Sequence, residues 1–143
     1  MSDTGEINSQ NIHFIDRDGN SLVLIYGESW AGIDLGGACL KHADFHGACL
    51  KGTYFYYADL RGVNFAGSDL SYADFSWTDL SYANLANTNL TGVTFECALT
   101  KKVNTNGAIF KKTMMPDDSI FSGSLEMMPP LADDMVRKPA PDI

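Results

Sequence analysis

Every fifth residue from Leu35 to Phe95 is large and apolar: Leu35, Leu40, Phe45, Leu50, Phe55, Leu60, Phe65, Leu70, Phe75, Leu80, Leu85, Leu90 and Phe95. Two positions before each of these thirteen centres sits a small or β-branched residue, in order Ile33, Ala38, Ala43, Ala48, Thr53, Ala58, Val63, Ser68, Ala73, Thr78, Ala83, Thr88 and Val93. A helix cannot use such a pattern, because five steps of roughly 100° carry the apolar position about 140° round the axis each time. A straight strand fails as well, since an odd period flips the apolar residue to the opposite face at every repeat. The chain must therefore turn once per repeat, which is the mark of a solenoid. Counting from each centre i, positions i−2 and i point inward along a short extended stretch and i−1 points out. Positions i+1 and i+2 make the corner. Gly37, Gly47, Gly52, Gly62, Gly67, Gly92 and Gly107 all fall at i+2, where a turn calls for positive φ.

The alternation of Phe and Leu sets the number of sides. Stacking every twentieth residue places Leu35, Phe55, Phe75 and Phe95 on one side and Phe45, Phe65 and Leu85 opposite, with pure Leu columns between them. Stacking every fifteenth mixes Phe and Leu in each column, so four sides per coil is the better reading.

The runs Ser68-Asp69-Leu70-Ser71-Tyr72, Ala73-Asp74-Phe75-Ser76-Trp77 and Ala83-Asn84-Leu85-Ala86-Asn87 resemble the A(D/N)LXX motif of pentapeptide-repeat proteins. The resemblance covers rather more than half the chain. It implies an all-β fold, a right-handed quadrilateral β-helix (solenoid) of about four coils over residues 33–115. At the spacing of neighbouring strands such a rod is about 19 Å long.

The flanks break the period. Asn11–Ile15 and Ser21–Tyr26 read as two strands around Asp16-Arg17-Asp18-Gly19-Asn20, so residues 11–32 are expected to form a β-hairpin cap on the first coil's unpaired edge, after a disordered tail over 1–10. At the far end Thr100 and Thr105 replace Leu, and Phe110 and Met115 recover the phase. Residues 116–143, with Pro116, Pro129, Pro130, Pro139 and Pro141, are expected to form a C-terminal cap, with a helical turn around Ser119 to Met128, and a flexible acidic tail.

At 143 residues and 45% hydrophobic the chain reads as one soluble domain. The polar, acidic Met1–Gln10 has no apolar core of a signal peptide, and three cysteines are an odd count, so a cytoplasmic location with free thiols is expected. No apolar run is long enough to span a membrane. The net charge of −8 does not come from the repeats: residues 33–112 carry seven acids and seven bases. That balance bears on one function the resemblance suggests, mimicry of duplex DNA by rods that occupy the DNA-binding surface of gyrase and protect it from drugs or toxins. Duplex DNA carries about one negative charge per 1.7 Å, which a short neutral rod copies poorly unless charge is segregated by face. The reverse idea, direct nucleic-acid binding through Lys101, Lys102, Lys111 and Lys112, is not expected either, because the acidic tail can meet those lysines.

Cys39, His42, His46 and Cys49 have the composition of a zinc site. The repeat phase sets the two cysteines outward on opposite sides and the histidines on successive corners, so no metal is expected, and no Cys39–Cys49 disulfide. A catalytic nucleophile, base and orienting partner are not placed together either, and no phosphate loop, nucleophile elbow or His-Glu-x-x-His occurs. Neither enzymatic activity nor a cofactor is expected.

One feature lies outside the repeat's demands. Tyr54, Tyr56, Tyr57, Tyr72, Trp77 and Tyr82 occupy outward or corner positions that the motif leaves to small or polar residues. Tyr57 and Trp77, twenty residues apart, should stack on one corner beside Tyr54 and Tyr56, with Tyr72 on the preceding corner and Tyr82 on the next. Exposed aromatic clusters mark interaction surfaces, because Tyr and Trp give large contact area for little entropy. The expected function is a rigid module that binds another macromolecule, a protein of unknown identity, through these six residues. The alternative is the gyrase-directed DNA mimic. A structural or immunity-type role within a larger assembly stays open, as does a homodimer through stacked end coils.

Overall fold

The computed structural model describes residues 11–15, 21–25 and 29–123. Strand β1 (Asn11–Ile15) pairs antiparallel with β2 (Ser21–Ile25), Asn11 opposite Ile25 and Ile15 opposite Ser21. From Trp30 to Met115 the chain coils with four sides per turn, each outward i−1 residue bridging in parallel to the residue twenty positions on. The first face carries the ladder Asp34–Tyr54–Asp74–Thr94–Met114, the second Cys39–Asp59–Asp79–Leu99, the third Asp44–Asn64–Asn84–Asn104 and the fourth Cys49–Asp69–Asn89–Ile109. Strand β3 (Phe110–Met114) leaves the last coil and turns back into β4 (Ile120–Gly123), with Met114 opposite Ile120.

Local chemistry accounts for each corner. The centre's carbonyl accepts the amide three residues on, as from Ala38 to Leu35 at 3.1 Å. Residues at i+2 take φ between 51° and 74° throughout the coil, the left-handed value that the third position of a type II turn requires. The Asp or Asn at i−1 then folds its side-chain oxygen onto the amide of i+1, as Asp74 does to Ser76 (2.8 Å) and Asn84 to Ala86 (3.0 Å). This is the Asx turn, in which a short polar side chain closes the backbone on itself.

Inside, Phe55, Phe75 and Phe95 stack face to face at 5.0 and 5.5 Å, and Phe45 stacks on Phe65 at 5.4 Å across the rod. The two columns meet edge to face, Phe55 on Phe65 at 5.5 Å and Phe65 on Phe75 at 5.8 Å. Leu40, Leu60 and Leu80 fill the second side and Leu50, Leu70 and Leu90 the fourth, all buried. Each of these centres contributes roughly 1.5–3 kcal/mol by leaving water. Inward hydroxyls at i−2 are tolerated because they donate to the carbonyl of the preceding centre: Ser68 to Phe65, Thr78 to Phe75 and Thr88 to Leu85, at 2.6–2.8 Å.

The coil begins one repeat earlier than the sequence pattern indicates. Trp30 is the centre of that repeat, buried against Phe45 with its amide on the Cys49 carbonyl at 3.1 Å. The helical turn expected from Ser119 gives way to β4 over Ile120–Gly123, because Phe121 packs edge-on against Phe110 at 5.5 Å. Residues 1–10, the hairpin turn 16–20 and the tail from 124 lie outside the described residues. At the C-terminal end the core thins, and the Thr100 hydroxyl is buried without a hydrogen-bond partner among the described residues. No helix among them is long and apolar enough to cross a membrane.

Candidate protein-binding edge

The corner between the first and second faces gathers three of the six unexplained aromatic side chains, Tyr56, Tyr57 and Trp77, all half-buried. Tyr57 and Trp77 occupy equivalent i+2 positions on adjacent coils, and their rings stack at 6.2 Å with an interplanar angle of 8°. Tyr56, one residue earlier, meets Tyr57 edge to face at 6.0 Å. Its ring lies over Gly36 of the preceding coil, where a Cβ would come within 2.5 Å, and its hydroxyl donates to Asp34 Oδ2 at 3.3 Å. Tyr54 stands on the adjoining first face, 48% exposed. Tyr56, Tyr57 and Trp77 form one continuous ridge of touching rings, with Tyr54 on the face beside it.

Tyr72 and Tyr82 are not part of that ridge. Tyr72 sits on the corner between the fourth and first faces, its ring over Gly92 and 5.8 Å from the Lys51 ammonium. Tyr82 sits on the corner between the second and third faces, 61% exposed. The six sequence candidates thus divide into the ridge of three with Tyr54 beside it and two outliers, one on each neighbouring corner.

The ridge carries backbone strain. Tyr57 and Trp77 have φ of 61° and 62°, and Tyr72 and Tyr82 follow at 63° and 65°. A left-handed conformation costs a residue with a Cβ about 1–2 kcal/mol, and for bulky side chains it is rare. Glycine holds the same corner position at Gly37, Gly47, Gly52, Gly62, Gly67, Gly92 and Gly107 with no such cost. His42, Asn87, Cys97, Lys102 and Lys112 hold the same conformation at 51–64°, so the strain belongs to the corner position on every side and not to the ridge alone.

Charge is arranged by column. All seven bases of the coil lie on two diagonally opposed corners: Lys41, Arg61, Lys101 and Lys102 beside the second face, Lys51, Lys111 and Lys112 beside the first. Five of the seven carboxylates flank or sit on the ridge, Asp34 and Asp74 on the first face, Asp59 and Asp79 on the second and Glu96 on the ridge corner, while Asp44 and Asp69 stand on the third and fourth faces. The third face instead carries Asn64, Asn84 and Asn104, linked by amide bonds at 3.2 Å from Asn64 to Asp44 and 3.3 Å from Asn104 to Asn84. Arg61 binds Asp59 at 2.7 Å and approaches Asp79 to 3.9 Å. Its hydrogen bond to Asp59 holds that carboxyl below the usual aspartate range. No ladder repeats an acid in every coil of the described rod. Sequence reading missed the acidic flanks, although the choice of Asp or Asn at twenty-residue spacing was there to be read.

Cys39 and Cys49 face outward on opposite sides, both exposed, while Cys97 is buried at the end of the ridge corner. His46 turns to Asp44 at 2.8 Å, and His42 lies over Gly62 on the next coil. Among the described residues no three potential ligands gather to hold a metal ion. The Asp117 carboxylate is taken by the Ser119 amide and hydroxyl, at 3.0 and 2.6 Å.

The family model described as pentapeptide repeats matches this chain in eight copies, over residues 29–55 and 58–96. A pentapeptide repeat protein from Nostoc Pcc 7120 is 32% identical, with 56% of this chain and 68% of that one covered and a TM-score of 0.53. One from the cyanobacterium Cyanothece 51142 is 27% identical, covering 60% and 66%, with a TM-score of 0.47. QnrB1, a plasmid-mediated fluoroquinolone resistance protein, is 26% identical over 52% of this chain, with a TM-score of 0.50. The match spans only 36% of QnrB1. No curated protein matches the chain. Proteins built from these repeats fold as right-handed quadrilateral β-helices, and that is the coil described above.

Proposed function

The chain belongs to the pentapeptide-repeat family, and from that premise we propose that it works without catalysis, as a rigid module that binds a protein partner through the Tyr56–Tyr57–Trp77 ridge and Tyr54 beside it. Members of the family are generally non-enzymatic structural or interaction modules. The observation that carries the reading is the stacked aromatic corner, Tyr57 on Trp77 with Tyr56 beside them, which the repeat does not need. A preformed ridge loses little freedom on binding, so its contact area converts to affinity with a small ordering cost. Tyr72 and Tyr82 are outer contacts for a partner large enough to reach the neighbouring corners. No nucleic acid, membrane or cofactor enters this reading, and its place is the cytoplasm.

The test is affinity capture from the source cell's lysate, comparing the natural chain with a Tyr57→Gly/Trp77→Gly variant. Glycine already holds the equivalent positions, so the variant keeps the fold, verified by circular dichroism. A partner held by the natural chain and lost by the variant supports the ridge. Loss of two central aromatic anchors is expected to weaken binding at least about thirtyfold. Equal capture by both proteins refutes it.

The likeness to QnrB1 favours a second reading, a DNA mimic directed at gyrase or a related topoisomerase. The interrupted acidic ladders and the two basic corners weigh against it. Gyrase retained equally by both proteins in the same capture would select it.

A further inference from the structure

Where the outward i−1 residue is Asp or Asn, its side chain supplies an oxygen to the amide two residues on, and Asn does this as well as Asp. Asn64, Asn84, Asn89 and Asn104 cap their turns at 3.0–3.1 Å. Asp34, Asp74 and Asp79 make the same bond at 2.8–3.0 Å. The fold is therefore indifferent to the charge at this position, yet the choice differs by face. Every Asx residue on the first and second faces is Asp, whereas the third and fourth mix four Asn caps with two Asp, Asp44 and Asp69. Glu96, on the ridge corner itself, adds a carboxylate that caps nothing among the described bonds.

What distinguishes the first and second faces is the aromatic ridge between them. Stacked rings present an electron-rich surface that attracts cations, and a guanidinium lies flat on such a surface while its N–H groups bind carboxylates in pairs. Asp74 belongs to the same repeat as Trp77, and Glu96 lies on the same corner one coil further on, its carbonyl accepting the Trp77 amide at 2.9 Å, both apart from the corner that holds Arg61. Phosphate-bearing partners meet the wrong sign of charge here. We infer that the ridge receives an arginine-bearing segment of a protein partner, with guanidinium groups stacked on Tyr57 and Trp77 and paired to Asp74 and Glu96. This rests on the ridge being a protein-binding surface and adds the chemistry of what binds.

The chain holds its own reporter. Its two tryptophans are Trp30, buried in the core, and Trp77, on the ridge. The full chain, labelled with nitrogen-15, would be titrated with a peptide of alternating glycine and arginine, and with glycine–lysine and glycine–glutamate peptides of equal length. The expected result is movement of the Trp77 indole resonance with the arginine peptide, the Trp30 resonance unmoved. The lysine peptide should bind more weakly, and the glutamate peptide should leave both resonances in place. An Asp74→Asn/Glu96→Gln variant, which retains the turn cap, should lose about tenfold in arginine-peptide affinity. Unchanged affinity in that variant, or equal response to the glutamate peptide, overturns the inference. The same variant in lysate capture separates the two ideas. A partner lost with Tyr57→Gly/Trp77→Gly but kept with Asp74→Asn/Glu96→Gln overturns the arginine inference and leaves the ridge standing. A partner kept by both overturns the ridge itself.

Discussion

Two opposite corners of the same rod show how the repeat divides its labour. Between the first and second faces the corner reads Tyr56-Tyr57 and Ser76-Trp77 on successive coils, flanked by aspartates. Diagonally across, between the third and fourth faces, it reads Ala66-Gly67 and Ala86-Asn87, flanked largely by asparagines. Backbone and turn are the same at both, and the same buried core supports them, although Tyr54 cannot supply the Asx cap that Asn64 and Asn84 give Ala66 and Ala86. Only the outward chemistry differs. The coil spends its inward positions on stability and leaves its outward positions unconstrained, so departures from small and polar residues there are informative about function.

The comparison breaks completely if the shared interior is lost. Phe75 touches Phe55, Phe65 and Phe95 and is fully buried, so Phe75→Ala should cost about 3–5 kcal/mol in urea unfolding and destabilise both corners together. Moving an aromatic onto the quiet corner tests the strain. Gly67 has φ of 70° and open space around its Cβ position, so Gly67→Tyr should cost about 1–2 kcal/mol with no steric clash. A neutral result would show that a ring at this corner position carries no backbone cost. The converse change, Tyr57→Gly, relieves the same strain but forfeits a ring stack worth about 0.5–1.5 kcal/mol. Net stability should shift by less than about 1 kcal/mol while partner capture is lost, a split that a merely structural ring would not show. The smallest expected effect is electrostatic. Because Arg61 depresses the Asp59 carboxyl in the folded chain, the stability of this pair is present above the unfolded aspartate pKa of about 4 and declines as pH falls through the lower folded value. The urea midpoint should therefore drop slightly more below pH 4 in the natural chain than in Asp59→Asn.

Much of the molecule was legible before its structure. The phenylalanine columns on opposite sides, the leucine columns between them, the positive-φ corners and the Tyr57–Trp77 stack all followed from counting in fives and twenties. Trp30 escaped because the small residue expected two places before it is Glu28, so the pattern stops one repeat short of the coil. The strand at Ile120–Gly123 escaped because its stability lies in Phe121 meeting Phe110, a contact across a turn that no local period encodes.

The sequence by itself determined the coil, its four sides and the inward or outward sense of each residue, because each depends on a repeat whose geometry is local and additive. Only the tertiary structure decided where the corner side chains lie. Tyr56 folds over Gly36 toward Asp34, Tyr72 folds over Gly92, and Cys97 is buried although it occupies a corner. A corner ring settles wherever the adjacent coil leaves room for it. That room is set by residues of a neighbouring coil, about twenty positions away along the chain.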